Sequence, residues 1–182
     1  MSDGAGVTGD AMQVDAESWA SCRGAHVLVV DDDPDLRGVL SDLLEGVGLV
    51  ACAASSGNDA LGFLASRAVG EEVDLVLIDL RMPGPSGIEV IRELRTAKHL
   101  PPTILMTASA EPTVRSEALT LGIHVLEKPF TFDAFRRVAA LLILSKRAEL
   151  RRDSEGADRA VNVVDPSESR TEGRLPSFPP KA

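Results

Sequence analysis

Five short apolar runs, each followed by a stretch with helical spacing, constrain this chain more than any other feature. The runs cover residues 25–30, 49–53, 74–79, 103–107 and 123–126. They are rich in Val, Ile and Leu and too short to be helices, so they are expected to be buried strands. The intervening stretches, about 34–45, 58–66, 87–95, 113–121 and 131–151, carry apolar residues at helical intervals. Leu36, Val39, Leu40, Leu43 and Leu44 are expected on one side of the first, and Ile88, Ile91 and Leu94 on the buried side of the third. Asn58 is expected to cap the second helix. Pro34 fits a first helical position, which assigns Asp33 to the N-cap.

Strands that alternate with helices imply a parallel sheet covered on both faces. Strands buried on both sides read as near-continuous apolar runs, as these do. Right-handed crossovers leave few topologies. At this length the expected one is the α/β, flavodoxin-like (βα)5 arrangement, a five-stranded parallel sheet in order 2-1-3-4-5. Such folds place their sites beyond the carboxyl ends of the strands. Asp31, Asp32 and Asp33 follow the first strand, Asp79 ends the third, Thr107 and Ala108 follow the fourth, and Glu127, Lys128 and Pro129 follow the fifth. Several carboxylates, a hydroxyl and an ammonium therefore converge at one edge. Carboxylates brought together repel unless a cation sits among them. An all-oxygen donor set favours magnesium beside phosphate. A carboxylate can attack a phosphoryl group, with a lysine and a metal ion neutralising the oxygens in transfer.

The segments that carry these residues resemble the response-regulator receiver family. They are Val27-Leu-Val-Val-Asp-Asp-Asp-Pro-Asp-Leu-Arg37, Asp74-Leu-Val-Leu-Ile-Asp-Leu-Arg-Met-Pro-Gly84 with Gly87, Ile104-Leu-Met-Thr-Ala108 and Glu127-Lys-Pro-Phe130. They come in the family's order and spacing, and the resemblance covers about residues 25–148. It implies that Asp79 is the phosphoacceptor and that Asp31, Asp32 and Asp79, with the backbone carbonyl of Arg81, hold Mg2+, Asp32 being the more direct of the acidic pair. It also implies that Thr107 engages the phosphoryl group, that Lys128 pairs with it, and that Pro129 follows a peptide that is often cis. The implied donor is a sensor histidine kinase or a histidine phosphotransfer protein. One departure stands out: Val125 occupies a position where the family usually has Tyr or Phe, a ring that swings inward as the threonine shifts. That keeps a second reading open, a pseudo-receiver that works by partner contacts without phosphorylation. His124 beside it reads as a half-exposed structural residue.

Other classes fit less well. A magnesium phosphatase with an aspartyl intermediate would want a second acid two residues past the nucleophile, and position 81 is Arg. There is no phosphate-cradling Gly-rich loop of the nucleotide-hydrolase type. The protein is not expected to be an enzyme beyond limited self-phosphorylation and self-dephosphorylation. A net charge of -9, from 19 basic and 28 acidic residues, argues against direct nucleic-acid binding. No apolar run approaches the about 20 residues that cross a membrane, no secretory signal is evident, and Cys22 and Cys52 make no disulfide framework. A cytoplasmic location is expected, with Cys52 as a small core residue.

Residues 1–24 are rich in Gly, Ala, Ser and Asp and are expected to be a flexible acidic leader. Trp19 within it reads as an exposed aromatic or a docking anchor. Residues 149–182 are expected to hold the end of the last helix and a disordered charged tail, disordered from about Arg152. That tail is too small for a DNA-binding output domain, so the signal is expected to pass by partner binding or phosphorelay. Removing both tails is expected to leave residues 22–152 folded. Residues 138–144 of the last helix are apolar nearly all round, which suggests a homodimer or the docking of a downstream target through this helix.

Overall fold

The computed structural model describes residues 16–66, 72–97 and 100–161. The elements in chain order are α1 (Ala16–Ala20), β1 (His26–Val30), α2 (Pro34–Gly46), β2 (Val50–Ala54), α3 (Gly57–Ala65), β3 (Leu75–Asp79), α4 (Gly87–Thr96), β4 (Thr103–Thr107), α5 (Pro112–Leu121), β5 (His124–Glu127) and α6 (Phe132–Val161). The five strands form one parallel sheet in the order β2-β1-β3-β4-β5, as expected. Register places Val30 beside Ile78 and Asp79 beside Met106, so the polar strand ends gather along one edge.

Side chains alternate across the sheet. Val27, Val29, Leu75 and Leu77 face one core with Leu40, Leu44, Phe135 and Ile143. Leu28, Val30, Val76 and Ile78 face the other with Ile88, Ile91, Leu94 and Ala118. Both faces are covered, which is why these strands carry no polar alternation.

Local rules account for most helix starts. Asp33 caps α2 by accepting from the amides of Asp35 (2.9 Å) and Leu36 (3.3 Å), with Pro34 following it. Only Leu40 and Leu44 of α2 are buried; Val39 and Leu43 are exposed, because the buried stripe is narrower than the apolar side expected. The cap of α3 is Ser56, which accepts from the Asp59 amide at 3.1 Å, and not Asn58. A Cβ at the next residue, Gly57, would lie 2.6 Å from the Val90 side chain and 2.8 Å from the Pro85 carbonyl oxygen, so only glycine fits at this first helical position. Ser86 and Glu89 close a reciprocal capping box at the start of α4.

The main correction concerns the residues before β1. The flexible leader expected through residue 24 is wrong from Ala16 onward. Ala16–Ala20 forms a helical turn, and Trp19, only 7% exposed, joins Cys22 in the core that also holds Ala139, Ala140 and Ile143. The Arg136 guanidinium lies 5.0 Å above the Trp19 ring. Arg147 donates to the Ser21 carbonyl at 2.5 Å. Burial pushes the Cys22 thiol up, against the opposing effect of Arg147. Cys22 is thus the fully buried cysteine, while Cys52 is only partly buried. In this strap Trp19 and Cys22 share one core with Ala139, Ala140 and Ile143, against which Val138, Leu142 and Leu144 also pack, so most of the apolar stretch 138–144 lies in or against the chain's own core. Among those residues Leu141 remains exposed.

The chain divides into two compact units, Met1–Arg147 and Ala148–Ala182. In the second, the helix continues to Val161, past the break expected near Arg152, and its side chains through Ser154 are exposed. The remainder of the expected leader and tail, residues 1–15 and 162–182, lies outside the described residues.

Candidate functional site

The edge formed by the ends of β1, β3, β4 and β5 brings three of the expected residues into direct contact. Asp31 sits one residue past β1 and is 2% exposed; Asp79 ends β3 and is 8% exposed. Lys128 follows β5, and its Nζ donates to Asp31 Oδ2 at 2.9 Å and to Asp79 Oδ1 at 2.5 Å. Buried carboxylates are tolerated when paired and hydrogen-bonded. Asp31 Oδ1 also accepts from the Asp33 amide at 3.0 Å, and Asp79 Oδ2 from the Arg81 amide at 2.6 Å. Burial disfavours the Lys128 ammonium, but its bonds to Asp79 and Asp31 and their charges outweigh this and hold its pKa above the ordinary 10.5. Lysine is therefore the fixed cation of the site at neutral pH.

The three consecutive aspartates have separate placements. Asp31 points inward to Lys128, Asp32 is exposed, and Asp33 caps α2. Arg37, one turn into α2, donates to the Asp31 carbonyl at 2.6 Å, a brace with no sequence signal beyond its place in the matching segment.

Thr107 ends β4 and is buried. Its backbone carbonyl accepts from the Lys128 amide at 2.7 Å, which fixes β5 against β4 at the site. Its hydroxyl is turned to its own loop, donating to the Ser109 carbonyl (3.0 Å) and accepting from the Ser109 amide (3.2 Å). The Lys128-Pro129 peptide is cis. Val125 is half-buried against the second core, and His124 is exposed.

Gly87 sets how closely α4 approaches the acceptor strand. A Cβ there would lie 2.3 Å from the Asp79 carbonyl oxygen, and the Gly87 amide donates to the Leu80 carbonyl at 3.1 Å. Gly87→Ala must displace the end of β3 or the start of α4. The expected loss is about 1–3 kcal/mol of stability, typical of forced overpacking, measured by chemical denaturation. An unchanged midpoint would mean that this approach is slack.

Two residues that sequence reasoning left without a role also belong here. Glu127 accepts from the Ala110 amide at 3.1 Å and is ion-paired with Arg115, whose Nε donates to the Ala110 carbonyl at 3.1 Å. Among the described residues no three His, Cys, Asp or Glu side chains converge as a ready-made metal cluster. The donor chemistry nevertheless suits a hard cation: Asp31 and Asp79 share one ammonium, which leaves a negative surplus beside exposed Asp32.

The family model described as the response regulator receiver domain matches residues 27–140. The chain is 34% identical over 139 residues to the transcriptional regulatory protein CpxR of Klebsiella pneumoniae, covering 75% of this chain and 57% of that protein. It is 36% identical over 108 residues to the DNA-binding transcriptional regulator NtrC of Salmonella typhimurium, covering 59% of this chain and 22% of that one. The match thus spans only part of each relative's length. Among solved structures, the response regulator TrrA of Thermotoga maritima, in complex with Mg2+ and BeF, superposes with a TM-score of 0.54 at 33% identity, over 65% of this chain and 98% of that one. A receiver protein from Burkholderia phymatum superposes with a TM-score of 0.57 at 36% identity, over 65% of this chain and 94% of that one.

Proposed function

Since the chain belongs to the response regulator receiver family, we propose that it accepts a phosphoryl group on Asp79 from a phosphohistidine of a sensor kinase or phosphotransfer protein. The observation that carries this reading is the buried Asp31–Lys128–Asp79 cluster. The P–N bond of the donor breaks as a P–O bond forms to an Asp79 carboxylate oxygen, and the electron pair returns to the imidazole nitrogen. Lys128 holds the acceptor in place and stays positioned to neutralise the incoming oxygens. The Arg81 amide fixes the other Asp79 oxygen. Thr107 must release Ser109 before its hydroxyl can donate to the phosphoryl group.

Asp31, Asp32 and Asp79, with the Arg81 carbonyl, would hold Mg2+, as their hard oxygen donors suit it. When bound, the ion supplies further neutralisation of charge on the transferring group. The signal then leaves through a protein partner or by onward transfer, in the cytoplasm. Nothing here requires turnover of a separate substrate, so the protein is not proposed to be an enzyme.

Intact-mass spectrometry after incubation with Mg2+ and acetyl phosphate tests this. One phosphoryl adduct is expected, dependent on Mg2+ and absent from Asp79→Asn. The second reading, a partner-binding module without phosphorylation, is favoured by Val125, which lacks the ring usual at its position. A chain that takes no adduct, also from a cognate kinase, would establish that second reading in place of the first.

A further inference from the structure

We propose that Glu127 and Arg115 form a latch that holds the β4–α5 loop, and with it the Thr107 hydroxyl, in the setting bonded to Ser109. This rests on Asp79 being the phosphoacceptor. Neither residue touches the reacting atoms, so both are positioning residues.

The loop between β4 and α5 is pinned at one residue from both sides. The Ala110 amide is given to Glu127 Oε1 at 3.1 Å, and its carbonyl accepts from Arg115 Nε at 3.1 Å. The same Glu127 oxygen pairs with Arg115 Nη2. One residue earlier, both backbone groups of Ser109 are taken by the Thr107 hydroxyl. The backbone groups of Ser109 and Ala110 are therefore satisfied as a set. Thr107 cannot turn its hydroxyl toward Asp79 without vacating Ser109, and residue 110 cannot follow without breaking the latch.

Packing holds the start of α5 at one side chain, Val114, which is half-buried against the second core. Helix α5 buries only Ala118, and Glu111 at its start makes no side-chain cap. Beside α5 runs an open groove of about 420 Å3, lined by Arg115, Leu119, Ile123, His124 and Val125 among others. The other ties of α5, Arg92 to Glu117 and Arg95 to the Thr120 carbonyl, lie in its second half. Apart from Val114, the first turn of α5 and its preceding loop thus depend on polar bonds, and the latch supplies those at Ala110.

The latch is exposed, so its strength is modest: ion pairs of this kind and the bonds with them shift an equilibrium by about two- to tenfold. Removing it lowers the cost of turning Thr107 toward the acceptor. The test uses the full chain, Mg2+ and acetyl phosphate, and follows the rate of adduct formation in Glu127→Ala, Arg115→Ala, the double variant and Glu127→Gln. Both alanine variants should accept phosphate about two- to tenfold faster than the parent. The double variant should be no faster than either, since one device has been removed. Glu127→Gln, which keeps an acceptor for the Ala110 amide but loses the charge, should fall between. Hydrogen exchange at the Ala110 amide should rise in the alanine variants while the core stays protected.

Rates within twofold of the parent, or slower, overturn the latch while leaving the acceptor reading intact. A parent chain that takes no phosphate overturns the acceptor reading, and the role of the latch falls with it. An Ala110 amide that exchanges equally in parent and variants shows that the loop is not pinned this way and overturns the proposal by itself.

Discussion

Lys128→Ala is expected to accept phosphate about a hundredfold more slowly than the parent and to be less stable by about 2–3 kcal/mol. The first effect follows from losing the fixed cation at the transferring oxygens; removing one preorganised donor of this kind typically costs about 10²–10³ in rate. The second follows from leaving Asp31 and Asp79 buried without their shared partner. Breaking a fully buried pair costs about 3–5 kcal/mol, and the figure here is set lower because the lysine side chain keeps 23% of its exposure.

The sign reverses at the other end of the pair. Asp79→Asn removes one of two carboxylates that share a single ammonium, so it should be as stable as the parent or more so in metal-free buffer. The double variant should recover much of what Lys128→Ala loses, since the repulsion has gone. Added Mg2+ should raise the melting temperature of Lys128→Ala more than that of Asp79→Asn, because the ion can stand in for the missing charge only where both carboxylates remain. Equal melting of Lys128→Ala and parent in metal-free buffer would show that the lysine is not what makes these burials tolerable.

Trp19→Ala is expected to cost about 2–4 kcal/mol, in the range of large-to-small substitutions in a core. The ring is 7% exposed and packs in the cluster that holds Ala139, Ala140 and Ile143. At about 2–4 °C per kcal/mol for a chain of this size, the melting temperature should fall by roughly 4–16 °C. Arg136→Ala should cost far less, about 0.5–1 kcal/mol, since it removes the cation over the ring and a long i,i+3 pair with exposed Asp133. A chain trimmed to begin at Cys22 should show the Trp19→Ala loss, contrary to what the leader's composition suggests. A trimmed chain that melts with the parent would mean that the strap adds nothing to the domain.

These contrasts show what a sequence can and cannot carry. Strand positions were legible because parallel strands buried on both faces must be apolar throughout, and the acidic ends of β1 and β3 then had to meet. Asp33 and Pro34 announced a helix start through their own backbone preferences. Trp19 could be read only as an exposed aromatic or a docking anchor, because a single aromatic in a Gly- and Ala-rich stretch has no period. Its neighbours in the core, on the apolar stretch 138–144, were legible as a helix face needing cover, but not which segment would meet it. Ser56 and Asn58 are both good caps, and it is Ser56 whose hydroxyl meets the Asp59 amide. The Glu127–Arg115 pair is 12 residues apart in the chain. Its meeting depends on how β5 returns beside β4, which spacing alone does not reveal.

The division of the apolar side chains into two clusters, one on each face of the sheet, has a consequence for how the domain loosens. Trp19, Phe135 and Ile143 lie in one cluster, while Ile88, Leu105 and Ala118 lie in the other. Among the described residues the clusters share no side chain, and the strands of the sheet lie between them. Such layers open as separate cooperative units when their stabilities differ. Loss of the strap should therefore raise amide exchange along α2 and α6 first, leaving α3 and α4 protected on the far side. Asp31 and Asp79 sit at the ends of strands that belong to both layers, so the cluster they form with Lys128 should loosen whenever either one opens.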